Sequence, residues 1–66
     1  MEGTEIVYAA ALECIASGLS RDETRRILFD NYPSVESQEI EDETCDALRD
    51  ALAQGVERED IDPSWF

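Results

Sequence analysis

The densest cluster of reactive side chains in this sequence is a run of carboxylates between residues 36 and 50. Seven of these fifteen residues are acidic, and Arg49 is the only base among them. The acidic residues are Glu36, Glu39, Glu41, Asp42, Glu43, Asp46 and Asp50. Side chains three or four positions apart share one face of an α-helix. A helix here would therefore carry an exposed stripe formed by Glu39, Glu43, Asp46 and Asp50.

Such a stripe has two open interpretations. From residue 39 to residue 50 a helix rises roughly 16 Å, comparable with about five base steps of a nucleic-acid strand. Carboxylates at this spacing could mimic phosphates and bind a basic protein. The same residues could instead form a solvated surface of the kind found in chains adapted to high salt. Like charges at these spacings destabilise an isolated helix by a few tenths of a kcal/mol per pair.

The residue types that serve most catalytic and metal sites are missing. All five basic residues are arginines, so the chain has neither lysine nor histidine. It lacks an imidazole base, a Schiff-base amine and a nitrogen ligand for zinc. Asp60 and Asp62, beside Pro63, do not supply the glycine-containing loop of a calcium site. We therefore expect no enzymatic activity, no metal and no cofactor.

The two cysteines, Cys14 and Cys45, are far apart in sequence. They lack the paired C-x-x-C spacing that is typical of metal and redox sites. Free cysteines are most often buried in proteins. We expect both to be buried free thiols.

The chain has 66 residues and a net charge of -12, and 42% of its residues are hydrophobic. This apolar content is too high for a disordered acidic tail. One domain, residues 1–66, is expected, with a small core and electrostatic self-repulsion. The longest apolar run covers seven residues, 6–12, whereas a membrane span needs about 20. With no basic region at the start of the sequence, we expect a cytoplasmic protein without a membrane interaction.

The elements that would position the carboxylates are helices at about residues 5–17, 21–31 and 37–54, with a short turn at 58–61. Thr4 is the expected N-cap of the first helix. Ser20 to Glu23 matches the capping box that begins a second helix, and Pro33 ends that helix. The third helix should start from Ser34 or Ser37. Gly18-Leu19 and Gly55-Val56 match helix stops. The prediction is an all-α, small three-helix bundle.

Apolar positions suggest how these helices pack. The first helix carries two apolar lines, so we expect it to be buried on more than one side or to form part of a homodimer contact. These lines are Tyr8, Leu12, Ile15, Leu19 and Val7, Ala11, Cys14. The second helix contributes Ile27, Leu28 and Phe29, and the third contributes Ile40, Thr44, Leu48, Ala51 and Leu52. At the C-terminus, Trp65 and Phe66 should dock on the helices, the alternative being an aromatic anchor for a partner.

In length, helical content, acidity and lack of catalytic residue types, the chain resembles the small phage-encoded inhibitors known as anti-CRISPR proteins. Several of those inhibitors are acidic DNA mimics. The resemblance implies that the face from Glu36 to Asp50 occupies a Lys/Arg-rich channel in which a CRISPR effector complex holds DNA. It also implies a non-enzymatic inhibitor in the host cell cytoplasm that does not bind nucleic acid itself.

A second resemblance is to the helix-turn-helix of DNA-binding proteins. The matching residues are Cys14, Gly18, Leu19, Ser20, Arg21, Arg26, Ile27 and Leu28. The recognition helix would then carry three arginines, namely Arg21, Arg25 and Arg26. Neighbouring acids reduce the attraction to phosphate that such a helix needs, and these are Asp22, Glu23 and Asp30. A third alternative is a small helical regulatory or antitoxin-like interaction module, supported by the doubly apolar first helix.

Overall fold

The computed structural model describes residues 3–66, with side chains from residue 5 onward. It contains three α-helices: α1 (Gly3–Ala16), α2 (Arg21–Asn31) and α3 (Ser37–Ala53). Two single 3₁₀ turns follow, Arg58–Asp60 and Pro63–Trp65. No strand occurs between residues 3 and 66, and the predicted all-α three-helix bundle is confirmed. The second 3₁₀ turn was not predicted.

The helix starts follow local capping chemistry to different degrees. Before α2, the Glu23 N–H donates to Ser20 Oγ at 3.1 Å and the Ser20 N–H donates to Glu23 Oε1 at 3.2 Å, which is the predicted capping box. α1 already includes Gly3, so Thr4 lies inside its first turn and not at the N-cap. α3 begins at Ser37 after Glu36, whose side chain makes no capping hydrogen bond. The third helix therefore starts without the serine cap that Ser34 or Ser37 could have supplied.

α1 and α3 end with the same backbone motif, as their similar sequences predicted. Gly18 has a φ of +84° and Gly55 a φ of +102°, values that residues other than glycine rarely adopt. The Leu19 N–H donates to the Cys14 carbonyl at 3.1 Å, and the Val56 N–H makes the equivalent bond at 3.0 Å. These 6→1 bonds define Schellman motifs that satisfy carbonyls at the helix ends.

The core lies mainly between α1 and α3, which make the most extensive contact in the bundle. It consists of Val7, Ala11, Ile15, Leu28, Ile40, Ala47, Ala51, Ile61 and Trp65. α2 supplies only Leu28 and the buried Thr24, whose hydroxyl donates to the Ser20 carbonyl. Ile27 and Phe29, expected on the apolar side of α2, are exposed. α2 thus packs through a narrow line of residues four apart.

The C-terminal aromatic pair divides between core and surface. Trp65 is only 7% exposed, and its indole N–H donates to the Leu19 carbonyl at 3.0 Å. Phe66 is 54% exposed, and the Arg58 guanidinium lies 4.2 Å from the centre of its ring. The predicted docking of the tail holds for Trp65 and fails for most of the Phe66 side chain. A peptide N–H at Arg21 also donates to Ser64 Oγ, at 2.9 Å, and fixes the tail against the start of α2.

Both cysteines are free thiols, but their surroundings differ from the prediction. Cys14 is half-buried and Cys45 is exposed. Burial, and secondarily the charge of Glu13, raises the pKa of the Cys14 thiol, while a hydrogen bond with Thr24 opposes the shift. Cys45 lies on α3 directly after the buried Thr44 and borders a surface cavity. The expectation of burial was therefore wrong for Cys45.

Candidate functional site

The carboxylates of α3 are placed by the residues that α3 buries. Its buried positions are Ile40, Thr44, Ala47 and Ala51, which follow one helix face. Each stripe residue comes directly before one of these buried residues. One residue corresponds to about 100° around a helix. The acidic stripe, defined as Glu39, Glu43, Asp46 and Asp50, therefore lies along the edge of the core and not on the far side of α3.

α1 borders the acidic stripe through Tyr8. The Tyr8 hydroxyl donates a hydrogen bond to Asp50 Oδ2, across 42 residues of sequence. This bond, followed by burial and by the charges of Asp50, Asp46 and Glu43, raises the pKa of Tyr8 above its ordinary value. Glu43 and Asp50 are half-buried, whereas Glu39 and Asp46 are exposed. Asp50 is consequently held against α1, whereas Glu39 and Asp46 are open to solvent.

Glu43 is the stripe carboxyl whose pKa is shifted. Burial raises the pKa of the Glu43 carboxyl, and the charges of Asp46, Asp42 and Glu39 raise it further. Among the described residues, the only ion pair of a stripe residue is Asp46 Oδ1 with Arg49 at 3.6 Å, and both side chains are largely exposed. Exposed pairs of this kind contribute little. Most of the negative charge of the stripe is therefore unbalanced within the folded chain.

The remaining predicted site residues have separate surroundings. Glu41 lies on another side of α3, where its Oε1 is 2.9 Å from Arg25 Nε of α2. Asp42 is exposed and accepts a hydrogen bond from Gln38 at 3.1 Å. Glu36 is exposed at the N-cap of α3. The structure thus brings the four stripe residues together, leaves Asp42 and Glu36 near their margin, and separates Glu41 from them.

Four residues, 17–20, connect α1 to α2. Arg21, Arg25 and Arg26 are all exposed on α2. Arg25 is paired with Glu41 and lies 6.0 Å from the centre of the Phe29 ring. Glu41 of α3 therefore balances part of the positive charge of these three arginines.

A cavity of about 150 Å³ lies between α2, α3 and the C-terminal tail. Its lining includes Arg21, Glu41, Cys45 and Trp65, but no residue of the acidic stripe. Sequence reasoning did not find this cavity, since it depends on where Trp65 docks. The acidic stripe lies outside this cavity, along the edge of the core.

Comparison with protein-family models, curated proteins and solved structures found no match. None of the helices between residues 3 and 66 has the length and apolar character that a membrane crossing requires. Within the same residues, no three potential metal ligands converge.

Proposed function

We propose that this chain is a non-catalytic interaction protein that presents the acidic stripe to a basic, nucleic-acid-binding surface of another protein. The carboxylates of Glu39, Glu43 and Asp46 would take positions there that nucleic-acid phosphates otherwise occupy. The observation that carries the proposal is the row of four carboxylates fixed beside the core with one weak, exposed arginine contact.

The energetics of the stripe support this function. Burial raises the pKa of Glu43, and the neighbouring charges of Asp46, Asp42 and Glu39 raise it further, so like charges on this face repel one another in the free protein. Arginine or lysine side chains of a partner would relieve that repulsion. The free energy that repulsion costs the free protein would then be partly regained on binding. A purely solvated helix face would be more stable with cations interspersed. The arrangement therefore favours association over stability of the isolated chain.

The class of partner follows from this geometry. A stripe about 16 Å long fits a groove in which several arginines or lysines hold a nucleic-acid backbone. The DNA channel of a CRISPR effector complex is one such groove, and the chain would inhibit it by DNA mimicry in the cytoplasm of the host cell. Association would be fast at low salt and would weaken as salt screens the charges.

A competition assay tests the proposal. A fluorescently labelled arginine-rich peptide is bound to a random DNA duplex, and the protein is added as competitor. Three neutral substitutions in the stripe, Glu39→Gln, Glu43→Gln and Asp46→Asn, are compared with three elsewhere, Glu57→Gln, Glu59→Gln and Asp30→Asn. The control residues are exposed, and both variants lose three charges of the same residue types.

The stripe variant should require about tenfold more protein to displace the peptide. The control variant should differ from the wild type by less than about twofold. Equal losses in the two variants would show that only total charge matters, and would contradict the proposal.

A further inference from the structure

A shallow apolar groove runs between α1 and α2. It consists of two adjoining depressions that share Ala10 and Glu13. The lining residues that matter here are Glu5, Ile6, Ala9, Ala10, Glu13 and Ile27. We call this surface the α1–α2 groove.

The groove exposes side chains that the core does not use. Ile6 is 40% exposed and Ile27 is 38% exposed, one on each helix. Between them, Ala9 is exposed and Ala10 is half-buried. Small residues on the floor let another backbone approach closely, while larger apolar residues at the sides offer area to bury. This combination of small and larger apolar residues suits the apolar ridge of a helix.

The charges around the groove favour a helix with basic residues as its binding partner. Glu5 and Glu13 both line it and both are exposed. Neither is in an ion pair with an arginine of the described residues. A second copy of this chain would bring a further net charge of -12 to the contact. Basic residues beside an apolar ridge, in contrast, would complement both glutamates.

We propose that the α1–α2 groove binds an amphipathic α-helix of another protein, with an apolar ridge against Ala9 and Ala10 and with arginine or lysine facing Glu5 and Glu13. This inference goes beyond the function proposed for the acidic stripe. Tyr8, which borders the stripe, and Ala10 are separated by about 200° around α1. Glu5, at the margin of the groove, is only three residues from Tyr8 and so lies nearer to the stripe. The groove floor at Ala10 is on a different side of α1 from Tyr8, so substitutions in the groove floor and in the stripe can be tested separately.

The probe is a synthetic amphipathic helix of about 18 residues, or five turns, with a leucine ridge flanked by arginines. One comparison peptide carries glutamates in place of the arginines, and another is a scrambled peptide of the same composition as the probe. Binding is measured by fluorescence anisotropy. Ala9→Arg places a long cation in the groove, and Ala16→Arg is the control, since Ala16 is exposed on α1 but outside the groove.

The amphipathic basic helix should bind about tenfold more weakly to Ala9→Arg than to the wild type, and Ala16→Arg should leave its affinity within about twofold. The scrambled basic peptide should be insensitive to Ala9→Arg and should respond instead to neutralisation of the acidic stripe. Because the two peptides respond to different substitutions, the experiment shows separately whether the groove proposal or the stripe proposal is wrong.

Three results would overturn the groove proposal. One is equal binding of the peptide with acidic flanks, and another is equal affinity of Ala9→Arg and Ala16→Arg for the basic helix. The third is a wild-type dimer in sedimentation equilibrium that Ala9→Arg dissociates, because a second copy would then be the occupant. Circular dichroism of both variants should show unchanged helix content, since alanine and arginine are both good helix formers.

Discussion

Trp65 and Phe66 are adjacent in sequence but have different surroundings. The indole of Trp65 is buried and donates to the Leu19 carbonyl, so it connects the tail to the turn between α1 and α2. Phe66 is mostly exposed beside Arg58. Aromatic content alone predicted that the tail docks. It could not show which ring enters the core, because that depends on the path of the chain through the two 3₁₀ turns.

Trp65→Phe should lower the free energy of unfolding by about 1–3 kcal/mol, since the Leu19 carbonyl loses its donor and the ring loses volume. Phe66→Ala should change it by less than about 1 kcal/mol, the range of an exposed cation–π contact. Urea unfolding of the two variants measures both values. A larger loss from Phe66→Ala than from Trp65→Phe would contradict the assigned packing.

Glu43→Gln should stabilise the protein at pH 7. A raised carboxyl pKa means that the folded chain binds the proton more readily than the unfolded chain does. The stability linked to that proton is present below the ordinary pKa of 4.5 and is lost as pH rises through the raised value. Glutamine does not ionise, so the Glu43→Gln variant avoids this loss of stability. Removing each like-charge contact should raise the free energy of unfolding by a few tenths of a kcal/mol.

The gain from Glu43→Gln should shrink as pH falls to about 4, because the wild-type carboxyl, whose pKa is raised, is then mostly protonated. Thermal melts from pH 4 to pH 7 show the trend, with the exposed Glu59→Gln as control. A gain that is independent of pH, or equal to that of the control, would count against repulsion at Glu43.

At the scale of the helices, α2 and α3 differ in how they begin. Ser20→Ala removes the side-chain cap of α2 and should cost about 0.5–2 kcal/mol. Glu36 already has the extended conformation of an N-cap but makes no side-chain capping bond. Glu36→Ser should therefore raise the free energy of unfolding by up to about 1 kcal/mol. Urea midpoints test both, and a loss in Glu36→Ser would show that its carboxylate is already stabilising the helix end.

The sequence signals that predicted the helices are local ones. The capping box at Ser20 and the glycines at positions 18 and 55 each depend on a few neighbouring residues, and the structure agrees with them. The start of α3 was ambiguous because either Ser34 or Ser37 could begin it, and the structure begins it at Ser37. Local spacing also placed the stripe residues on one helix face, next to the buried positions.

What could not be predicted depends on how the helices pack. α2 turns Leu28 inward and leaves Ile27 and Phe29 exposed, a choice between neighbouring faces that the apolar pattern left open. The same packing brings Arg25 of α2 to Glu41 of α3. The contact of Tyr8 with Asp50 likewise joins residues from opposite ends of the chain. These features carry no signal in short stretches of sequence.

At the scale of the whole molecule, the net charge of -12 opposes folding. Moderate salt should screen this repulsion and raise the melting temperature, by about 4–8 °C if it recovers about 1 kcal/mol. The same salt should weaken binding to a basic partner. Thermal melts and binding measurements over one salt series show whether the signs are opposite. A melting temperature that does not rise with salt would contradict self-repulsion.

The most direct test of the central claim is residue-resolved. An arginine-rich peptide is titrated into ¹⁵N-labelled protein at low salt, and the amide signals are followed by nuclear magnetic resonance. If the acidic stripe is the binding surface, the largest shifts occur at Glu39, Glu43, Asp46 and Asp50, and they disappear in the stripe variant. Shifts of equal size at Asp30, Glu57 and Glu59 would show that the peptide binds acidic residues without preference, and would contradict the claim.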